Sequence, residues 1–162
     1  HQVEEALRIV KKGLEKNPFE TRLLLAASQF SYELHDPSAA EQFLLTAKED
    51  AEDTEEIFLR LATIYMEQER YEDIIALQSQ EPENLLTNWM IARSYQEIED
   101  LDKAYELYQE LSSDLKDNPE FLEQYTYLLR ELGYFEETKI QAEAYLKLVP
   151  DDVQMQELLE TL

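Results

Sequence analysis

Two groups of residues in this chain invite a chemical reading. His35 beside Asp36 could act as a general base oriented by a carboxylate, or as part of a metal site. At the end of an apolar helical pattern, however, a histidine favours the helix dipole, and an aspartate there caps the following helix. The acids Glu49, Asp50, Glu52, Asp53, Glu55 and Glu56 could offer oxygen ligands to calcium, but they lack the EF-hand order and its glycine. Acids at the start of a helix stabilise its dipole instead. HExxH, a glycine-rich phosphate loop and GxSxG do not occur, and the chain holds 2 glycines and no cysteine. Phosphate cradles, thiolate metal sites and thiol nucleophiles therefore have no residues to build them. The expectation is a protein that is not an enzyme and uses no catalytic residues, metal or cofactor.

The elements that would carry any function are helical. Of 162 residues, 44% are hydrophobic and 10% aromatic, enough for a continuous core. Glycine and proline are scarce and Leu, Ala, Glu, Gln and Lys are common, a balance that favours helix because these side chains lose little freedom there. Thirty-seven acids against fourteen bases give a net charge of −23, which repels a phosphate backbone and an anionic membrane. No nucleic acid and no membrane partner is expected, and the charge would steer basic partners over a screened range of about 10 Å. No apolar run approaches the roughly 20 residues of a spanning helix, and His1 leads into a charged amphipathic stretch rather than a signal peptide. The lack of cysteine fits a reducing, cytoplasmic location.

An internal repeat organises the chain. A small residue followed three places later by an aromatic occurs as Ala27/Phe30, Ala62/Tyr65 and Ala92/Tyr95, with Thr126/Leu129 as a fourth copy. Downstream, Ala39 with Phe43 and Ala104 with Tyr108 put a second such pair, at i and i+4, on one face of a following helix. Each unit thus has two helices. Asn17-Pro18, Asp36-Pro37 and Asn118-Pro119 each place an N-cap residue before a proline suited to the first helical turn. Asp53 followed by Glu56 reads as a capping box.

This pattern resembles the tetratricopeptide repeat, a helix–turn–helix unit of about 34 residues with small and aromatic residues at set places and a proline near its end. The copy at 119–152 is the fullest, with Gly133, Phe135 and Pro150 at the family's turn glycine, aromatic and terminal proline. Ala6, Val10 and Pro18 match the second helix and terminus of a preceding unit. The usual tryptophan and glycine of the first helix are absent. The second copy is clipped: Tyr71 to Glu81 forms a short helix before Pro82, with Ile74 and Gln78 at the small and aromatic places.

The resemblance implies a right-handed superhelical α-α solenoid of about ten helices, a single repeat domain over 1–162. It divides into a leading second helix at 2–16, four hairpins at 20–53, 54–84, 85–118 and 119–152, and a terminal helix at 152–161. Beginning in mid-repeat suggests a fragment of a longer array, whose open flank of Ala6, Leu7 and Val10 needs a partner or cap.

In this family the first helices of successive hairpins line a concave face across which ligands lie. The resemblance therefore implies a groove built from Leu24 and Ser28 in the first hairpin and Leu59, Thr63 and Met66 in the second. Trp89, Arg93 and Gln96 follow in the third, with Tyr127 and Arg130 in the fourth, and Arg60 and Met90 flank the stripe. Aromatic, Met and Arg side chains are those enriched in binding cores, so an exposed Trp89 beside Met and Tyr is expected to anchor a ligand. Arginine grips a carboxylate with two hydrogen bonds. Arg60, Arg93 and Arg130 would then receive acidic groups of an extended peptide, or else pair with Glu56, Glu97 or Glu123 to balance local charge. The family's chaperone-binding clamp of two lysines, two asparagines and an arginine is not formed. Its positions hold Leu24, Ser28, Arg60, Leu86 and Met90 in one frame and Leu59, Thr63, Met90, Glu120 and Gln124 in the next.

The leading expectation is a protein–protein interaction scaffold that binds a peptide or protein segment without a chemical step. The alternatives are a peptide-sensing regulatory module of a larger protein, and a self-association module. An RNA-binding helical array would need a basic face that a charge of −23 does not provide.

Overall fold

The computed structural model describes residues 1–78 and 84–162, and among them every regular element is an α-helix. These are α1 Gln2–Lys16, α2 Thr21–Glu33, α3 Pro37–Asp50, α4 Glu55–Glu67, α5 Tyr71–Leu77, α6 Leu85–Glu97, α7 Leu101–Leu111, α8 Pro119–Glu131, α9 Phe135–Leu148 and α10 Val153–Glu160. The chain forms two compact units, His1–Thr87 and Asn88–Leu162.

In the first unit α1 packs on α2, α2 on α3, α3 on α4 and α4 on α5. α1 approaches α2 at Gly13, where a Cβ would come within 2.9 Å of the tip of the Leu23 side chain. The predicted small residues Ala27 and Ala62 are fully buried, as expected where a methyl group lets two helices approach. In α3 the sequence register is corrected by one residue: Ala40 and Leu44 are buried, whereas Ala39 and Phe43 are half-buried. Ile74 is buried in the clipped helix, but Leu77 takes the inward place assigned to Gln78, which is exposed. Glu81 and Pro82 lie outside the described residues.

The second unit is built around aromatic rings. Tyr108 of α7 stacks on Tyr125 of α8 at 5.5 Å between centroids, and Phe121 sits 5.3 Å from Tyr108. Met155 and Leu158 of α10 close the same core. Thr126 stands where other copies have alanine. Its hydroxyl donates to the Leu122 carbonyl at 2.6 Å, so a buried polar atom is satisfied within its own helix.

Two predicted helix starts hold. The Asp36 carboxylate accepts from the Ala39 amide at 3.0 Å, and the Asn118 side chain accepts from the Phe121 amide at 3.0 Å, with Pro37 and Pro119 opening their helices. Two others are corrected. Asn17 ends α1, its amide donating to the Gly13 carbonyl at 3.0 Å, and α2 begins only at Thr21. Thr54 rather than Asp53 is the N-cap of α4, and Asp53 accepts from the Glu55 amide at 3.1 Å, so no capping box forms.

The turn inside each hairpin repeats in atomic detail. His35, Glu69, Glu99 and Gly133 have φ of 59°, 56°, 62° and 78°. In each turn the next amide reaches back five residues, closing a six-residue loop: Asp36 to Ser31, Arg70 to Tyr65, Asp100 to Tyr95 and Tyr134 to Leu129, all at 2.9 Å. This is the Schellman closure, which satisfies carbonyls that a helix end leaves open.

Candidate functional site

In the first unit, α2 and α4 lay their exposed edges side by side over a cavity of about 240 Å³. Ser28, Gln29 and Tyr32 come from α2 and Leu59, Arg60, Thr63 and Ile64 from α4. The spacing follows from the helix period, which returns a residue to the same face at i+3 and i+4. The Arg60 guanidinium donates to the Leu25 carbonyl at 3.3 Å and pairs with Glu56, which is the charge-balancing alternative anticipated for it. Gln29 and Tyr32 also line a neighbouring cavity of about 600 Å³, with Glu33, His35, Pro37 and Glu67. The Tyr32 hydroxyl donates to Glu67, and this bond together with burial pushes the phenol up from its ordinary range.

In the second unit, Arg93, Gln96 and Glu97 of α6, Tyr108 of α7 and Gln124 and Tyr127 of α8 line a cavity of about 180 Å³. Tyr127 and Arg130 of α8 with Gln154, Glu157, Leu158 and Thr161 of α10 line another of about 300 Å³. Tyr127 belongs to both and is an exposed aromatic. Arg93 approaches Glu120 at 4.0 Å rather than pairing with Glu97, and Arg130 has no ion pair among the described residues.

Eight of the twelve groove residues expected from sequence therefore border these cavities: Ser28, Leu59, Arg60, Thr63, Arg93, Gln96, Tyr127 and Arg130. Met66 and Met90 are half-buried. Leu24 and Trp89 are corrected to core positions, 3% and 9% exposed, and Ser28 is buried at the floor of its cavity. Trp89 is no wet anchor. Its ring meets Phe121 edge-on at 5.9 Å, and its indole N–H donates to Gln124 Oε1 at 2.9 Å, so both its apolar and polar needs are met inside the unit.

Sequence reasoning missed Gln29 and Tyr32, which lie one and four residues after Ser28, and the contribution of α10. Carrying the i, i+4, i+7 stripe onward from Gln154 gives Leu158 and Thr161, both cavity residues, so the signal was present in the terminal helix. His35 stands in the left-handed turn with φ 59° and lines the cavity that Glu33 and Glu67 also border. Among the described residues no group of His, Cys, Asp and Glu is arranged to hold a metal, and no helix is long and apolar enough to cross a membrane.

The protein-family model for YpiA-like, C-terminal tetratricopeptide repeats matches residues 86–152. The TPR repeat-containing protein YpiA of Bacillus subtilis (strain 168) is 25% identical over 134 residues, covering 80% of this chain and 32% of that protein. The chain thus spans about a third of that curated relative. Among solved structures, MamA superposes with a TM-score of 0.75 at 16% identity, covering 99% of this chain and 92% of that one. YrrB, a TPR protein with an unusual peptide-binding site, gives 0.78 at 12% identity, covering 99% and 84%. At such identities the likeness establishes the fold alone.

Proposed function

We propose that this chain, whose fold is that of tetratricopeptide-repeat proteins and serves protein–protein interaction in general, is a non-catalytic scaffold whose first-helix faces hold a peptide or protein segment. The observation that carries this reading is the coincidence of cavities with the first-helix stripe in both units, described above. A ligand in the second unit would lie against Tyr127, with carboxylate groups of the ligand reaching Arg93 and Arg130. Both guanidiniums are weakly engaged within the protein, and a guanidinium binds a carboxylate through two parallel bonds. That YrrB has a peptide-binding site supports an equivalent use of this fold here.

The test is to select binders from a displayed random-peptide library on the purified chain and measure their affinity for Arg93→Glu and Tyr127→Ala variants. The expected result is at least one peptide family that loses about tenfold or more in affinity for both variants, while their circular dichroism stays that of the parent. Selected peptides that bind both variants as well as the parent would refute this use of the second-unit face.

A further inference from the structure

The first unit's groove changes character along its length. At one end, Leu59, Thr63 and Ile64 offer a largely apolar wall, and the single cation there, Arg60, is already held by Glu56 and the Leu25 carbonyl. Gln29 and Tyr32 then carry the groove into the larger cavity, whose lining includes the carboxylates of Glu33 and Glu67.

Both acids are held in place by neutral donors. Gln29 Nε2 donates to Glu33 Oε1 at 2.8 Å, and the Tyr32 hydroxyl donates to Glu67 Oε1. His35 is the basic side chain in the lining, no lysine or arginine lines this cavity, and neither acid has an ion pair among the described residues. Some carboxylates elsewhere in the unit are matched by arginine, Glu56 by Arg60 and Glu41 and Asp73 by Arg70. An ionised carboxylate accepts about four hydrogen bonds, so each acid keeps acceptor capacity that a single neutral donor leaves unused. Two negative charges on one cavity wall repel, and an incoming cation relieves that repulsion while satisfying the open acceptors.

We propose that the first unit's groove takes an extended segment of a partner protein that carries an arginine or lysine beside an apolar side chain. The cationic group sits with Glu33 and Glu67, and the apolar side chain lies against Leu59 and Ile64. The chain's charge of −23 draws such a segment in and disfavours an acidic one at this end. This rests on the reading of the first-helix face as a binding surface, and it adds the chemistry of the occupant.

The experiment titrates the isotope-labelled chain with capped leucyl-arginyl-leucine, and with the same peptide carrying neutral citrulline or glutamate in place of arginine. The arginine peptide should shift the amide resonances around Gln29, Glu33 and Glu67 saturably. Its affinity should exceed that of the citrulline peptide about tenfold, and should fall about tenfold in a Glu33→Gln/Glu67→Gln variant, two exposed charge contacts being lost together. Equal affinity for the arginine and citrulline peptides, preference for glutamate, or indifference to the double variant would overturn the cation pocket and leave the binding groove standing. A silent groove with all three peptides and no effect of Leu59→Ala on any library-selected peptide would overturn the groove reading of this unit. A concentration-dependent dimer that dissociates in the double variant would give the pocket to a second copy and overturn the partner-segment assignment.

Discussion

Exchanging residues between two equivalent turns of the second unit tests whether backbone geometry is the common element of the repeat. Glu99 and Gly133 occupy the same left-handed position, with φ of 62° and 78°. Their amides donate to Gln96 and Arg130 carbonyls, both at 3.0 Å. A left-handed conformation costs a non-glycine residue roughly 1–2 kcal/mol, while glycine gives up about 0.5–1 kcal/mol more backbone entropy on folding. Glu99→Gly should therefore stabilise the second unit by about 0.5–1 kcal/mol. At Gly133 a Cβ would meet nothing within 4 Å, so Gly133→Ala should cost about the same amount through backbone strain alone. Urea unfolding followed by the fluorescence of Trp89, the single tryptophan and a core residue of this unit, reads the effect where it arises. With a denaturant slope of about 2 kcal/mol per molar, the midpoint should move up by roughly 0.3–0.5 M in the first variant and down by a similar amount in the second. A Glu99→Gly midpoint at or below the parent's, together with an unmoved Gly133→Ala, would show that these turns carry no left-handed penalty.

Trp89→Ala should destabilise the second unit by about 3–5 kcal/mol, since the ring is part of the core and its N–H satisfies Gln124; a near-parental unfolding midpoint would contradict the packing. Ala62→Glu should cost several kcal/mol, because a carboxylate would be forced into a fully buried contact, and an unaltered thermal melt of the first unit would refute the repeat register. Burial drives the Tyr108 phenol up to about 12, and the bond to Asp152 with burial does the same for Tyr145. Raised folded values mean that this stabilisation is complete below the ordinary phenol value of about 10 and lost as pH rises through about 12; phenolate absorbance and helical dichroism should change together there, and phenols that all ionise near 10 in a folded chain would refute it.

The parts of the fold that could be read from sequence are those set by steric minima. Ala27, Ala62 and Ala92 are all fully buried, because only a small side chain lets helices meet at a crossing, and that demand recurs with every hairpin. The register in α3 was ambiguous because Ala39 and Ala40 are adjacent, so a rule of one small residue and a large one four later fits two faces. The pairing of Ala40 with Leu44 wins in the core, leaving Phe43 half-buried with the Lys11 ammonium 5.9 Å from its ring centre. Asn17-Pro18 misled for a related reason: asparagine suits both the end and the start of a helix, and only the chain's path decides which.

The groove was harder to read at the position three before each small residue. Leu24 and Trp89 stand there and are buried, Leu59 stands there and borders a cavity. That position lies on the boundary between the buried stripe and the open edge, so its fate depends on the neighbouring helix. Trp89 is long enough to reach Phe121 and Gln124 on α8; burying a large ring releases more water-exposed apolar area than leaving it at the rim.

The left-handed turns explain why the repeat is faint in sequence yet plain in structure. The family's turn glycine is present only at Gly133, but His35, Glu69 and Glu99 hold the same φ range and the same six-residue closure. Four backbone hydrogen-bonded loops thus enforce one geometry whether or not glycine eases it, and a motif search keyed to glycine sees one copy in four. The strain has a consequence in the first hairpin. A glycine at 35 would present no side chain, whereas His35 lines the cavity that also holds Glu33 and Glu67. A residue held against its conformational preference is informative when the side chain it retains faces a cavity. In the first hairpin the departure from the family pattern supplies an imidazole beside two carboxylates; in the fourth, where Gly133 keeps the pattern, the turn offers no side chain at all.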